Sequence, residues 1–254
     1  MLLLPSGDMS DELSPGQVRA KKRARETQSD IQSWNLAELS AAMCEERSIQ
    51  PLRSFEQLAR IYQQGIDYSI DSREGKVKIL CAAWHGGVIE RGADLLADAI
   101  AGDSLSFYAF QAHHDASPPH PLRITSIRFD EPQLLTLAKK SELVLGVHCC
   151  DTAPGIHRVF IGGGAQSDVR ASLIDTLRAH DFNAGPDQLF PGHHPSNPCN
   201  RGRSPGLQLE VSQTYMDWLL AHPDHFFRLA ETVSAFLLSL PIGCGIREPR
   251  RQKR

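Results

Sequence analysis

Residues Val77–Gly92 read Val-Lys-Ile-Leu-Cys-Ala-Ala-Trp-His-Gly-Gly-Val-Ile-Glu-Arg-Gly, and this stretch decides the fold class. The run Val77–Trp84 is compact and almost wholly apolar, the pattern of a strand buried on both faces. It ends in His85 and two glycines. An apolar periodicity then predicts a helix over Ile89–Ile100, with Leu95, Leu96 and Ile100 on its inner face. A buried strand turning tightly into a helix is the repeating unit of α/β sheets.

The same alternation continues on both sides. Before it, Ser54–Gln64 places Phe55, Leu58, Ile61 and Tyr62 on one helical face, with Gly65 as a stop. After it, Leu105–Phe110 reads as a strand, and Ile124–Phe129 alternates with period two, as a strand with one solvated face would. Glu131–Lys140 reads as a helix and Glu142–His148 as a strongly apolar strand. Arg158–Ile161 is a short strand ending at Gly162–Gly164. Ser167 suits the N-cap of a helix carrying Val169, Leu173, Ile174 and Leu177. Leu207–Val211 is a further strand, and His222–Leu240 a closing helix. The expected fold is a three-layer α/β/α domain around a mixed, largely parallel sheet.

The 254 residues carry 41% hydrophobic and 22% charged side chains and a net charge of −3, an ordinary globular balance. Residues 1–50 are polar, include the basic run Lys21, Lys22, Arg23, Arg25, and read as a mobile extension. Residues 51–240 form the expected domain, and 241–254 a basic tail. Solvated termini are the plain reading of both tails, with a nucleic-acid contact as the alternative. The six cysteines form no framework, and several lie in apolar runs, which predicts free thiols and a reducing, cytoplasmic compartment. The opening Met1–Glu12 has three leucines in a row with no basic residue ahead, too short for a leader core. No run is long enough to span a membrane.

Chemistry gathers at three strand ends. His85 closes the first, on the rim where open α/β sheets build their sites. Glu90 is expected in the first turn of the next helix, able to point back beside it. His148 closes Glu142–Val147 in the same way. Two histidines and a carboxylate leave one position of a tetrahedral zinc open, as catalysis needs. Cys149 and Cys150 are possible soft ligands, but neighbours on a strand face opposite ways. Leu207–Glu210 puts Gln208 and Glu210 on one face, and a carboxylate there can act as general base and then acid. Upstream, Asn200 and Arg201 sit in a glycine-flanked loop suited to bidentate recognition of a substrate carboxylate. Each residue alone is weak, since a histidine ending a strand is often a hydrogen-bonded core residue.

These residues also carry a resemblance. SFEQLARIYQQGIDYSI, AAWHGGVIERG, RITSIRFDEPQ, VLGVHCCD, VFIGGG and NPCNRGRSPGLQLEVS occur in order between Ser54 and about Tyr215. In this the chain resembles the phage-type poly-γ-glutamate hydrolases, a family often labelled phage-related replication protein. The resemblance implies a zinc-carboxypeptidase-like fold and zinc-dependent hydrolysis of γ-glutamyl amide bonds, with one Zn2+ per chain. It implies His85, Glu90 and His148 as zinc ligands, Glu210 as the catalytic carboxylate, and Asn200 and Arg201 as the substrate-carboxylate site. The chain departs from the pattern in the tail before Ser54, the His- and Pro-rich His113–Pro121, and the His193–His194 pair. The expected partner is a γ-glutamyl polymer or a small amide such as an N-acyl amino acid, acted on by a monomer away from membranes. A non-enzymatic nucleic-acid-binding accessory is the rival reading; the net charge of −3 weighs against the basic face it would need.

Overall fold

Alternation along β2 (Val77–Gly87) builds both sides of the core in the computed structural model, which describes residues 52–114, 120–151 and 155–241. Ile79, Cys81 and Ala83 join one apolar cluster, while Leu80, Ala82 and Trp84 join a second on the opposite face. A strand that must satisfy two faces cannot alternate apolar with polar, which is why its sequence is a continuous hydrophobic run.

The sheet has seven strands: β1 (Tyr68–Arg73), β2, β3 (Leu105–Ala112), β4 (Leu143–Cys150), β5 (Val159–Gly162), β6 (Ala184–Pro186) and β7 (Leu207–Ser212), in the order β1-β3-β2-β4-β7-β5-β6. The four central strands β3, β2, β4 and β7 are parallel. β1 runs antiparallel to β3 at one edge, and β5 is antiparallel to β7 near the other, with β6 parallel to β5. On one face pack α2 (Ala93–Ala101), α4 (Ser167–Ala179), α5 (Gln213–Ala221) and α6 (Pro223–Ser239). On the other lie α1 (Phe55–Ile61) and α3 (Pro132–Lys140). The sheet is mixed and mostly parallel with helices on both faces, the layered arrangement expected. Among the described residues no helix is long and apolar enough to cross a membrane, and Cys81, Cys149, Cys150 and Cys199 are free thiols.

Several local expectations are corrected. Ile124–Phe129 is no strand: Ser126–Arg128 form a 3-10 turn, with Ile124 and Phe129 buried and Ile127 47% exposed. The segment is tied by side chains from β2 rather than by a ladder, since Trp84 Nε1 donates to Ser126 Oγ at 3.0 Å. The helix expected from Ile89 begins at Ala93, because Gly92 at φ +90° interrupts it in a left-handed conformation that L side chains rarely adopt. Glu90 therefore sits in the turn ahead of the helix. Ser167 is the first helical residue and Gln166 the cap. The closing helix is α6, preceded by a separate α5 that ends before Pro223. The N-terminal extension and the tail residues 242–254 lie outside the described residues.

One packing detail positions the site. A Cβ at Gly146 of β4 would lie 2.4 Å from Trp84 Cη2, so the indole fills the space a side chain would need. That indole stands edge-on to the His148 ring, with centroids 4.4 Å apart. Gly146→Ala should force the indole aside and cost about 1–3 kcal/mol. Thermal denaturation should show a Tm several degrees lower, and an unchanged Tm would mean that the indole has room to move.

Candidate metal centre and cleft

Three strands deliver the polar groups at their carboxyl ends. His148 on β4 and Glu210 on β7 are direct partners in the parallel register, so they stand side by side at one level. His85 comes from β2, where the pairing with β3 gains a residue between Ala83 and Gly86. Such a bulge re-aims side chains, and the His85 ring lies 5.1 Å from that of His148, centroid to centroid. β2 runs on through Gly86 and Gly87, still paired with Gln111 and Ala112, and the turn that follows brings the chain back so that Glu90 inserts between the two rings. All three residues are buried.

Glu90 is the hub. Its Oε1 lies 2.9 Å from His85 Nδ1 and 3.0 Å from an Arg123 guanidinium nitrogen. Its Oε2 lies 2.7 Å from His148 Nδ1 and accepts from the Cys149 amide at 3.2 Å. His85 Nε2 lies 2.7 Å from the Ile124 carbonyl oxygen. A carbonyl only accepts, so Nε2 carries the proton and a neutral His85 turns its Nδ1 lone pair toward Glu90. Among the described residues His85, Glu90 and His148 form the group whose ligand atoms converge, all within 4.8 Å of one another.

The electrostatics fit that picture. Burial pushes the His85 imidazole below its usual range, against the pull of Glu90. Burial alone would raise Glu90, yet the charges of His148 and His85 hold it well below the carboxylate range. Burial opposes charge on His148 too, but the Glu90 and Glu210 carboxylates lift it above its ordinary value. His148 Nε2 is buried without a hydrogen-bond partner. A neutral His85 lone pair and a carboxylate oxygen 2.9 Å away are both acceptors, and a cation shared by them would satisfy both. The donor set, two imidazoles and one carboxylate with the far nitrogen of His85 held by a backbone carbonyl, suits zinc.

The trio lies in a cleft of about 520 Å3 lined also by Arg123, Ile127, Cys150, Phe190, His193, His194, Gln208 and Glu210. Glu210 is buried, and burial pushes its carboxyl up to about 8. Cys149 and Cys150 do not join the converging group. Burial lifts the Cys150 thiol to about 12 and Cys149 further, so neither offers a thiolate readily.

Asn200 and Arg201 do not line the cleft. The Asn200 amide is taken up by backbone: Oδ1 accepts from Gly164 and Gly206 at 2.9 and 3.2 Å, and Nδ2 donates to the Gly192 and His194 carbonyls at 2.7 and 2.9 Å. It braces the wall that carries His193 and His194. Arg201 caps the 3-10 turn Pro198–Asn200 and is exposed. The cleft's arginine is Arg123, 45% exposed and paired with Glu90, which sequence reasoning missed. Its signal was its place at the head of RITSIRFDEPQ, a motif that carries the resemblance but was assigned no role, in a segment misread as a strand. The histidine pair lies on the cleft wall, exposed, with His194 Nδ1 accepting from the Ser196 amide.

Residues 52–227 match the poly-gamma-glutamate hydrolase family profile. Two proteins of Bacillus subtilis (strain 168) align with part of the chain. UPF0714 protein YndL is 30% identical over 152 residues, 58% of this chain and 58% of YndL. SPbeta prophage-derived UPF0714 protein YoqZ is 29% identical over 163 residues, 63% of this chain and 57% of YoqZ. The match thus spans less than two thirds of either Bacillus protein. Among solved structures, a bacteriophage poly-gamma-glutamate hydrolase superposes with TM-score 0.65 at 24% identity, covering 74% of this chain and 96% of that one. The zinc-free apo form of YndL superposes with TM-score 0.65 at 25% identity, covering 74% and 97%.

Proposed function

This chain belongs to the poly-gamma-glutamate hydrolase family, and from that premise we propose that it is a zinc-dependent amidohydrolase cleaving γ-glutamyl amide bonds, with poly-γ-glutamate its substrate. The observation that carries this reading is the pairing of His85 Nδ1 with Glu90 while Nε2 is committed to the Ile124 carbonyl. His85, Glu90 and His148 would hold one zinc. When bound, the ion supplies Lewis acidity, polarising an amide carbonyl and bringing the pKa of water in the cleft to about 7.

Glu210 does the proton work. It takes the proton from water as the water oxygen bonds to the scissile carbon, then gives it to the amide nitrogen as the C–N bond breaks. A carboxyl at about 8 is poised to hold that proton, and a cation in the neighbouring trio draws it back toward the ionised form a base requires. Trp84 and Phe129 pack edge-on against the His85 ring and keep that side of the trio in a low-dielectric setting.

A γ-linked chain carries a free α-carboxylate on every residue, near each scissile amide. Arg123 lines the cleft beside Glu90 and would grip that α-carboxylate, while Asn200 would hold the wall. Arg123→Lys should lower kcat/KM about ten- to a hundredfold on γ-linked oligomers, the cost of one charge-assisted contact. Amidated oligomers should lose little further. Arg201→Lys should change either substrate less than about twofold, and a larger, carboxylate-selective loss there would return the role to Arg201.

The direct test of the proposal pairs metal analysis of the purified chain with γ- and α-linked glutamate oligomers. It expects one zinc per chain and cleavage confined to the γ series. Zinc with no γ-linked cleavage would leave the metal centre standing and remove the substrate.

A further inference from the structure

Gln208 is buried two residues before Glu210 on the same face of β7, and every polar atom of its side chain has a named partner. Its Oε1 accepts from Asn197 Nδ2 at 2.8 Å. Its Nε2 donates to the Phe190 carbonyl at 2.9 Å and to Glu210 Oε1 at 3.0 Å. The direction of this chain is fixed from outside. The Cys199 amide donates to Asn197 Oδ1 at 3.1 Å, so the Asn197 nitrogen faces Gln208 and only the Gln208 oxygen can receive it. Turning the Gln208 amide over would set donor against donor at Asn197 and acceptor against acceptor at Phe190 and Glu210. One end of the relay is main chain, and the other is the carboxylate at the centre of the cleft.

Resting on the reading of Glu210 as the proton carrier, we propose that Gln208 is its positioning residue: the amide holds Glu210 by Oε1 and leaves Oε2 as the oxygen that exchanges the proton. A buried carboxylate without such a tie can rotate about its last torsion, which is broad and shallow. Proton transfer needs the oxygen within about 2.6–3.2 Å of its partner. The Phe190 bond ties the same amide to the cleft wall, so carboxylate and wall are set together.

The zinc-loaded full chain tests this with Gln208→Met, which keeps length and removes the amide. The expected result is a ten- to hundredfold fall in kcat on γ-linked oligomers, with KM within about twofold and zinc content unchanged. In a Glu210→Gln background the same substitution should cost no more than about twofold further, because both changes act through one group. A KM-dominated loss, or full additivity of the two losses, overturns the proposal while leaving Glu210 as the base. Near-native activity of Glu210→Gln alone overturns both readings. A second arm needs no substrate and no Gln208 variant. In side-chain amide NMR spectra, one Nε2 proton of Gln208 should shift when Glu210 is replaced by Ala, and an unmoved pair overturns the proposal even where γ-glutamyl cleavage itself fails.

Discussion

Zinc-loaded Glu210→Gln should fold, keep its metal, and lose at least about a hundredfold in kcat. The amide keeps the shape of the carboxylate and can still accept from Gln208, but it cannot take a proton from water. Glu210 is no member of the converging trio, so metal content has no reason to change. Turnover on γ-linked oligomers, read beside zinc stoichiometry, checks this; near-native turnover would make Glu210 structural. The same variant carries a stability signature in metal-free protein. The folded carboxyl sits at about 8 against an ordinary 4.5, so the folded state binds this proton more tightly than the unfolded chain. A raised carboxyl pKa withdraws stability as pH rises from the lower value to the higher. Glu210→Gln lacks that loss, so its Tm relative to the native chain should rise from pH 5 to pH 9.

His148→Ala should abolish stoichiometric zinc and, with it, activity. Two ligands cannot hold a catalytic zinc against dilution, and even partners of the ligands typically change metal affinity ten- to a hundredfold. The substitution also leaves Glu90 with one imidazole in place of two and empties the space beside the Trp84 indole. A lower Tm is therefore expected alongside the metal loss. Retention of full zinc by a folded variant would shift attention to Cys149, Cys150 or the His193–His194 pair.

How much of this was legible in the sequence depends on the physical signal each part carries. Strands buried on both faces announce themselves as apolar runs, so β2 and β4 and the histidines they deliver could be read directly. Parity along Leu207–Glu210 put Gln208 beside Glu210, although the bonds that fix the amide come from Asn197 and Phe190, far off in sequence order. The edge strand β1, Tyr-Ser-Ile-Asp-Ser-Arg, escaped because its half-exposed faces leave no apolar run. The helix after β2 was started too early, since its apolar periodicity continues through a glycine whose backbone is left-handed. Ile124–Phe129 has the alternation of a strand but no neighbour offering a ladder; what holds it are the side chains of Trp84 and His85. Arg123, at the head of the same motif, was given no role for that reason. Asn200 and Arg201 were read as a recognition pair from a rigid polar loop; the four backbone bonds that take up the Asn200 amide come from residues up to 36 positions away and leave no mark in the sequence.

The contact that orients His85 has a further consequence for how variation at this site is read. Its partner is the main-chain oxygen of residue 124, which all twenty amino acids supply. A saturation scan would therefore score position 124 by how well each side chain fills its buried niche and would register nothing of the imidazole it steers. Homologous sequences could drift there with the steering intact, while a single-residue deletion between His120 and Ile124 would remove it without touching any polar side chain of the trio. Length, more than identity, is what this segment has to keep.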